Sequence, residues 1–249
     1  QELGLPPDGY AVVLANPPFS GRVDKDRIVD DVKVGATTAT ELLFLRYMID
    51  SLRLPSPSGR GVGGEGGRCA VVVPEGVLFG STGAHKELRR QLLENNTVEA
   101  VLSLPGGVFQ PYSGVKTSVL VFRKGGTTER VLFLHADNDG YKLDAQHTAP
   151  IEQDDLPGLV TAYQKRAENW RTWHGRDEES PWENNWWFAT ADAIRANDFN
   201  LSAGRYRPLS RTQVEHRSPL ELLDDLAALE RELLEEGEGL RDALSGEAT

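Results

Sequence analysis

Apolar residues in the first 137 positions form short, nearly continuous runs that alternate with segments of helical periodicity. Five runs predict buried strands, and segments 37–54 and 84–96 predict amphipathic helices, the first capped by Thr38 or Thr40. The predicted strands are YAVVLANPP, which ends at its prolines, RCAVVVPEG, VEAVLSLP, KTSVLVFRKGG and RVLFLHAD, with GGTTE as a turn between the last two. Because buried strands that alternate with helices are typical of a parallel sheet, the pattern predicts an α/β fold.

The pattern becomes polar and irregular after residue 136. Segment 160–173 predicts a helix, segment 191–208 a small helix and loop, and helical periodicity returns from Ser218 onward. All five tryptophans lie between residues 170 and 187. The run of Trp186, Trp187 and Phe188 could be a base-stacking platform, but no basic residues are interleaved with it. We therefore expect it to be the start of a strand or helix packed on the core.

Composition places the chain among globular proteins, with 249 residues, 39% hydrophobic and 26% charged. No apolar run approaches the roughly 20 residues of a membrane span, so we expect no membrane contact. A single cysteine, Cys69, suits the reducing cytoplasm, where we expect this chain to be. The five histidines are scattered, so no metal site is predicted.

The net charge of −11 is concentrated at the C-terminus. Ten acidic residues against two arginines in residues 221–249 account for −8, which leaves −3 for the other 220 residues. A nearly neutral body can hold a local basic groove, so the charge neither excludes nor supports DNA binding. Four arginines near the tail could follow phosphates, although a solvated segment is the simpler interpretation: Arg205, Arg207, Arg211 and Arg217.

The Asn-Pro-Pro-Phe corner after the first strand carries the main chemical signal. Such a corner can be an ordinary turn, since Asn-Pro favours turn initiation. However, it lies at the carboxyl end of a strand, where open α/β sheets bind ligands. The Asn16 side chain and the Pro17 carbonyl are two fixed acceptors that could hold an amino group while it becomes tetrahedral and cationic, each worth about 10² to 10³ in rate. The Phe19 ring could stack on a base for about 1–3 kcal/mol.

A second motif, GRGVGG at residues 59–64, matches the G-x-G-x-x-G pattern only formally. A dinucleotide-binding loop follows a strand and opens a helix, whereas this segment follows a predicted helix and precedes a predicted strand. We interpret it as a linker.

Several segments in order resemble the modification (M) subunit of type I restriction-modification systems, a family of adenine-specific DNA methyltransferases. They are VVLANPPFSG, ATTATELLFLRYMIDSL, GGRCAVVVPEGVLFGS, the long segment from AHKELRRQ to LVFRKG, and ADNDGYKLD. The resemblance implies that Asn16, Pro17, Pro18 and Phe19 are the catalytic tetrapeptide. It implies methyl transfer from S-adenosylmethionine to the N6 amine of an adenine flipped from duplex DNA, with a specificity subunit and a restriction subunit of the same system as partners.

The same resemblance gives further expectations for individual segments. Residues 74–76 match the segment near the catalytic cleft, and residues 113–122 match a hairpin before the last core strands. Lys116 could contact DNA or be an ordinary lysine at a strand entrance. These subunits carry their cofactor loop and an acidic residue before the tetrapeptide, and QELGLPPDG has neither. The chain therefore resembles the C-terminal half of the subunit, which would leave its first strand at a sheet edge.

These expectations divide the chain into three parts. Residues 1–135 would be a partial, Rossmann-like methyltransferase domain, 136–217 a mixed extension, and 218–249 a helix for subunit assembly. The helix prediction rests on a Ser218-Pro219 start signal and a stripe at Leu222, Leu226, Leu229 and Leu233. The resemblance implies that the isolated chain is inactive, because the cofactor-binding motif is missing. The alternatives are a non-catalytic assembly fragment, or a methyltransferase acting on RNA or on protein glutamine.

Overall fold

A mixed six-stranded sheet lies at the centre of the computed structural model, which describes residues 8–19, 21–56, 66–173, 185–208 and the single positions 230, 231 and 237. The strands are β1 (Val12–Ala15), β2 (Arg68–Pro74), β3 (Asn96–Ser103), β4 (Thr117–Lys124), β5 (Arg130–His135), β6 (Asp139–Tyr141), β7 (Pro150–Asp154) and β8 (Trp186–Thr190). The α-helices are α1 (Thr40–Ser51), α2 (Glu75–Phe79), α3 (Gly83–Asn95), α4 (Leu156–Gln164), α5 (Arg166–Thr172) and α6 (Ala191–Ala196). The sheet has the order β1-β2-β4-β3-β5-β8, and β6 and β7 form a separate hairpin.

The strand directions confirm the α/β class but not a parallel sheet. β1 is parallel to β2, and β3 is parallel to β5, whereas β4 lies antiparallel between β2 and β3, and β8 lies antiparallel to β5. The cause is the connection between β3 and β4, since residues 104–116 form turns and no helix. Parallel neighbours are usually joined by a crossover helix, and without one β4 returns antiparallel beside β3. The hairpin expected around residues 113–122 is thus present.

The turn predicted at GGTTE is present, but it does not join neighbouring strands. Gly125 and Gly126 have φ values of 81° and 78°, which glycine adopts without strain. β4 and β5 lie on opposite sides of β3 rather than beside each other. The turn therefore carries the chain across β3.

β1 is an edge strand, as expected. Among the described strands it pairs only with β2, and Val12 and Leu14 are 61% and 78% exposed. An unpaired strand edge with exposed aliphatic side chains is prone to pair with another chain.

Strand alternation distributes apolar side chains between two cores, one on each face of the sheet. One core combines helices α1 and α3 with strand residues such as Phe133 and Trp187. The other combines α4 and α5 with residues such as Leu132, Trp186 and Phe188. Successive residues of a strand point to opposite faces, which explains why Trp186 and Trp187 enter different cores. The prediction that these aromatic residues pack on the core is confirmed.

The helix boundaries agree with the sequence pattern except at the N-cap of α1 and at the start of α2. α1 has Ala39 at its N-cap without a side-chain bond, and the Thr40 hydroxyl donates instead to the Gly21 carbonyl at 3.3 Å, so the predicted threonine cap was wrong. β2 ends at Pro74, and residues 75–79, partly assigned to the strand, form α2. α3 ends at Asn95 as predicted, and the helix expected at 160–173 appears as α4 and α5.

Some predictions lie outside the described residues. These are the GRGVGG linker, the leucine stripe of the tail, and the segment containing Arg211 and Arg217. The chain divides into two units, Gln1–Pro208 and Leu209–Thr249, and in the second the described positions Glu230, Arg231 and Gly237 are helical. The division at 135 and 217 stays a prediction, and β8 contributes to the same sheet as β1 to β5. Among described residues, no helix is long and apolar enough to span a membrane.

Candidate active site

The candidate site lies at the end of the sheet where the carboxyl ends of four strands meet. This end of the sheet is called the carboxyl edge. β1, β2, β3 and β5 all run in one direction, so their carboxyl ends share this edge. Ligands of open α/β sheets bind beyond such ends. The corner at residues 16–19 directly follows β1 there, and Lys116 directly precedes β4, which begins at the same edge. The structure therefore brings all the predicted site residues to one side of the sheet.

The corner after β1 offers two hydrogen-bond acceptors. Ala15 is the last paired residue, opposite Val71; Asn16 follows it and is exposed, and Pro17 is buried. Two successive prolines fix φ and donate no hydrogen bond, which takes the chain out of the ladder on a stiff backbone. Within the described residues, neither the Asn16 carboxamide nor the Pro17 carbonyl takes part in a hydrogen bond. Neither acceptor is engaged within the described chain.

Phe19 is held in place by a second aromatic ring. Its half-buried side chain meets Phe109 edge to face, with ring centroids 5.0 Å apart and planes at 73°. Such pairs contribute about 0.5–1.5 kcal/mol beyond buried area. A cavity of about 540 Å³ opens beside Phe19 and could accept a planar group against the ring. Its other lining residues include Arg22, Thr37, Glu41, Thr82 and His85.

Among the titratable groups that line this cavity, His85 has a shifted pKa. Burial lowers its pKa, the nearby Arg89 guanidinium lowers it further, and Glu41 only partly opposes them. The imidazole is therefore neutral at pH 7, and its Nδ1 lies 2.6 Å from the Thr82 hydroxyl oxygen. A neutral histidine and a hydroxyl give the cavity wall hydrogen-bonding groups without charge.

Lys116 is joined to α2 through Glu75. Its Nζ lies 3.3 Å from Glu75 Oε1, and the same oxygen accepts from Ser103 Oγ at 3.3 Å. The Glu75 amide also donates to the Lys116 carbonyl at 3.0 Å. The lysine side chain is 43% exposed, so its ammonium is oriented by Glu75 while still reaching solvent.

Sequence reasoning missed the roles of Phe109 and Glu75. Phe109 lies far from Phe19 in the sequence, in a loop without periodicity, and no local signal identifies it. Glu75 lies in a segment that the resemblance had matched, but its partner Lys116 belongs to a different strand connection. Both contacts arise only when the ends of separate strands meet at one edge.

Three strands of the described sheet, β2, β3 and β8, are not followed by a glycine loop that opens a helix. Nucleotide-like groups bind where a glycine loop joins a strand to a helix. In the described chain, β2 passes directly into α2 and β8 directly into α6, while β3 is followed by turns. Two buried hydroxyls at the start of β4, of Thr117 and Ser118, have no hydrogen-bond partner among described residues, but two isolated hydroxyls do not define a nucleoside site. No group of histidine, cysteine or carboxylate side chains in this part of the chain could hold a metal ion.

Comparison with known proteins gives a consistent family match. The N-6 DNA Methylase family model matches residues 7–215. The type I restriction enzyme EcoEI methylase subunit of Escherichia coli is 32% identical over 235 residues, which cover 94% of this chain and 43% of that subunit. The StySJI methylase subunit of Salmonella typhimurium is 28% identical over 210 residues, 80% of this chain and 36% of that subunit.

Solved structures give the same match. A chain from a type I restriction-modification system, studied for its complex assembly and conformational transition, has a TM-score of 0.57 and 31% identity. The alignment covers 98% of this chain and 47% of that one. A modification subunit of a putative type I restriction enzyme from Vibrio vulnificus YJ016 has a TM-score of 0.54 and 28% identity, covering 78% and 36%. This chain thus spans less than half the length of the relatives it matches.

Proposed function

The chain belongs to the N-6 DNA Methylase family, and we propose that it supplies the catalytic corner of an adenine-specific DNA methyltransferase of a type I restriction-modification system. The reaction transfers a methyl group from S-adenosylmethionine to the exocyclic N6 amine of adenine. The observation that carries the proposal is the rigid corner after β1, where the Asn16 carboxamide and the Pro17 carbonyl are unengaged beside the half-buried Phe19.

The two acceptors act on the target amine. The N6 lone pair of adenine is delocalised into the ring, so the amine is planar and a poor nucleophile. Asn16 Oδ1 and the Pro17 carbonyl each accept one N6 hydrogen, and these bonds strengthen as the nitrogen becomes tetrahedral and cationic. Groups placed for charge that develops in the transition state typically contribute about 10² to 10³ in rate each. The Phe19 ring stacks on the adenine and keeps its amine at the acceptors.

The adenine reaches this corner only if it leaves the duplex, so DNA is the proposed substrate in a flipped form. Lys116 is the proposed phosphate contact, because its partly exposed ammonium lies at the same sheet edge as Asn16. Glu75 orients this ammonium and partly neutralises it. A single such contact adds about one released counterion to the salt dependence of DNA binding.

The cofactor pocket is proposed to need residues beyond those described. Neither β2 nor β8 is joined to the helix after it by a glycine loop, and β3 is followed by no helix, so we expect the 249-residue chain alone to bind S-adenosylmethionine weakly and to be inactive. Isothermal titration of this chain with S-adenosylmethionine checks the proposal. Micromolar binding would show that the described residues and the tail already form the pocket.

The proposed partner of the acidic tail is the specificity subunit, with a restriction subunit as a further member of the system. The proposal rests on the leucine stripe at residues 222–233 and its acidic flanks, which suit the edge of an interface with a basic partner. Deleting residues 219–249 from the complete subunit should abolish co-purification with the specificity subunit while its fold stays intact. Unchanged complex formation would mean that the stripe packs internally.

The decisive test is the substitution Asn16→Ala in the complete methyltransferase. We expect methyl transfer to adenine to fall by about 10² or more with DNA affinity nearly unchanged, because the acceptor acts mainly in the transition state. Asn95→Ala is the matched control, since this exposed asparagine ends α3 at the opposite edge of the sheet. Adenine methylation at the wild-type rate by Asn16→Ala would contradict the assignment, and methylation of RNA or protein in place of DNA would favour the other substrate classes.

A further inference from the structure

The loop between β3 and β4, residues 104–116, is fixed to the catalytic corner. At its base the Leu104 amide donates to the Thr117 carbonyl at 3.0 Å, and its last carbonyl accepts from Glu75. In its middle, Phe109 contacts Phe19 edge to face at 5.0 Å. The position of this loop is therefore coupled to the ring proposed to stack on the target adenine.

The fixed loop carries one aromatic side chain that is almost wholly in solvent. Turn bonds from the Gln110 amide to the Gly107 carbonyl and from the Ser113 amide to the Phe109 carbonyl, both 2.9 Å, define the loop around Tyr112. Tyr112 is 96% exposed, the largest value among the exposed large apolar side chains of the described residues. A tyrosine ring left in water on an anchored loop contributes nothing to the core and is available to stack on a partner.

We propose that Tyr112 enters the DNA base stack next to the flipped adenine and stabilises the open duplex. This inference rests on the proposed function and deepens it. Flipping a base unstacks its neighbours and leaves a gap, and proteins that distort DNA commonly fill such gaps with an inserted side chain. Phe19 and Tyr112 are then linked through Phe109. The Phe19 ring stacks on the flipped adenine, and the Tyr112 ring fills the gap that the adenine leaves in the duplex.

The neighbouring groups suit a DNA contact better than a protein contact. Four residues beyond Tyr112, the Lys116 ammonium lies 43% exposed at the loop base and can meet a phosphate of the same strand. Between them Ser113 and Gly114 are small, which leaves room for a backbone close to the loop. The Ser113 hydroxyl accepts from the Val115 amide at 3.2 Å, which keeps this part of the loop ordered.

The test uses the complete methyltransferase that contains this chain, assembled with its specificity subunit, in single-turnover methylation. Two duplexes carry the recognition sequence with the target adenine opposite thymine or opposite cytosine, and a third carries 2-aminopurine at the target. Tyr112→Ala should methylate the matched duplex roughly tenfold more slowly, the effect of losing one stacked base. The methylation rate of the mispaired duplex should fall much less, because its adenine is already easier to flip out. The 2-aminopurine fluorescence that reports flipping should fall in parallel.

The variants separate stacking from fold and from catalysis. Tyr112→Phe should restore most of the rate, since stacking requires the ring and not the hydroxyl. Tyr141→Ala removes another exposed tyrosine, 45% exposed on β6, and should leave methylation unchanged. Asn16→Ala should slow the methylation of the matched and the mispaired duplex equally. It should leave the 2-aminopurine fluorescence unchanged.

The outcomes distinguish this inference from the proposed function. If the wild-type complex methylates no adenine, the proposed function fails and Tyr112 loses its role with it. If the wild type is active and Tyr112→Ala methylates the matched duplex at the same rate, only the role of Tyr112 is overturned. An equal loss on matched and mispaired duplexes, or loss of the specificity subunit from the variant complex, would also overturn it.

Discussion

Removal of the Tyr163 hydroxyl should destabilise the first unit, because this group supports a buried carboxylate. The Glu99 side chain on β3 is 5% exposed, and its Oε2 accepts from the Tyr163 hydroxyl at 2.6 Å. Its Oε1 accepts from Arg68 Nη2 at 3.1 Å and lies 3.5 Å from Arg166 Nη2. The cluster joins α4 and α5 to the sheet, so the carboxylate must keep its partners for these helices to pack.

The expected loss for Tyr163→Phe is about 2 kcal/mol at pH 7. A hydrogen bond to a charged group contributes about 1.5–3 kcal/mol. The phenylalanine ring keeps the packing and the cation–π contact, in which Arg166 Cζ lies 4.4 Å from the ring centroid. Since Oε1 of Glu99 also retains its arginines, the cost should stay near the middle of that range.

The loss should shrink in acid. Burial alone would raise the pKa of Glu99, but the Tyr163 bond and the Arg166 and Arg68 charges outweigh it, so the pKa lies below 4.5. A carboxylate with a lowered pKa contributes stability above its unfolded pKa and loses that contribution as the pH falls through the folded pKa. At an acid pH below that folded pKa, the bond joins two neutral groups and is worth about 1 kcal/mol. The difference between wild type and variant should therefore fall by about half.

Urea unfolding followed by tryptophan fluorescence measures this difference at both pH values. Tyr47→Phe is the matched control, because this tyrosine is 38% exposed and its hydroxyl bonds to no described residue. The reasoning is refuted if Tyr163→Phe costs no more than Tyr47→Phe at pH 7. It is also refuted if the cost stays constant or grows as the pH falls through the folded pKa of Glu99.

Three further predictions concern packing in the first unit. Arg89 is 2% exposed and donates to the carbonyls of four residues. Arg89→Met should therefore lower the free energy of unfolding in urea by about 3 kcal/mol or more. The surface variant Arg90→Met is the control and should lower it by at most about 1 kcal/mol. Gly66→Ala should destabilise the protein, because its Cβ would lie 2.0 Å from a backbone oxygen, while Gly83→Ala, in open space at the start of α3, should raise the melting temperature through a gain of about 0.4–1 kcal/mol. Burial raises the pKa of Cys69 to about 12, so a thiol reagent at pH 8 should modify it only after unfolding, and rapid labelling of the native protein would contradict its burial.

Local sequence predicted most of the elements and the chemistry of the corner. Short apolar runs predicted β1 to β5, and the 3.6-residue period predicted α1 and α3, because both patterns record which side chains are buried. Asn16, Pro17 and Phe19 were predicted as a site because the end of a strand can be located from one segment alone. The Trp186 and Trp187 pair was correctly assigned to the core, since no basic residues are interleaved with it in the sequence.

The pairing of the strands was decided only by the tertiary structure. A buried run has the same composition in a parallel and in an antiparallel strand, so nothing local showed that β4 would return between β2 and β3. The position of β4 between β2 and β3 also brings Lys116 to Glu75 and the 104–116 loop to the corner after β1. The sequence by itself thus located the end of β1 and predicted the residues that follow it as a site for an amine. The tertiary structure decided which charges and rings surround them, because those contacts depend on strand order and register, which are set by burial across the whole sheet.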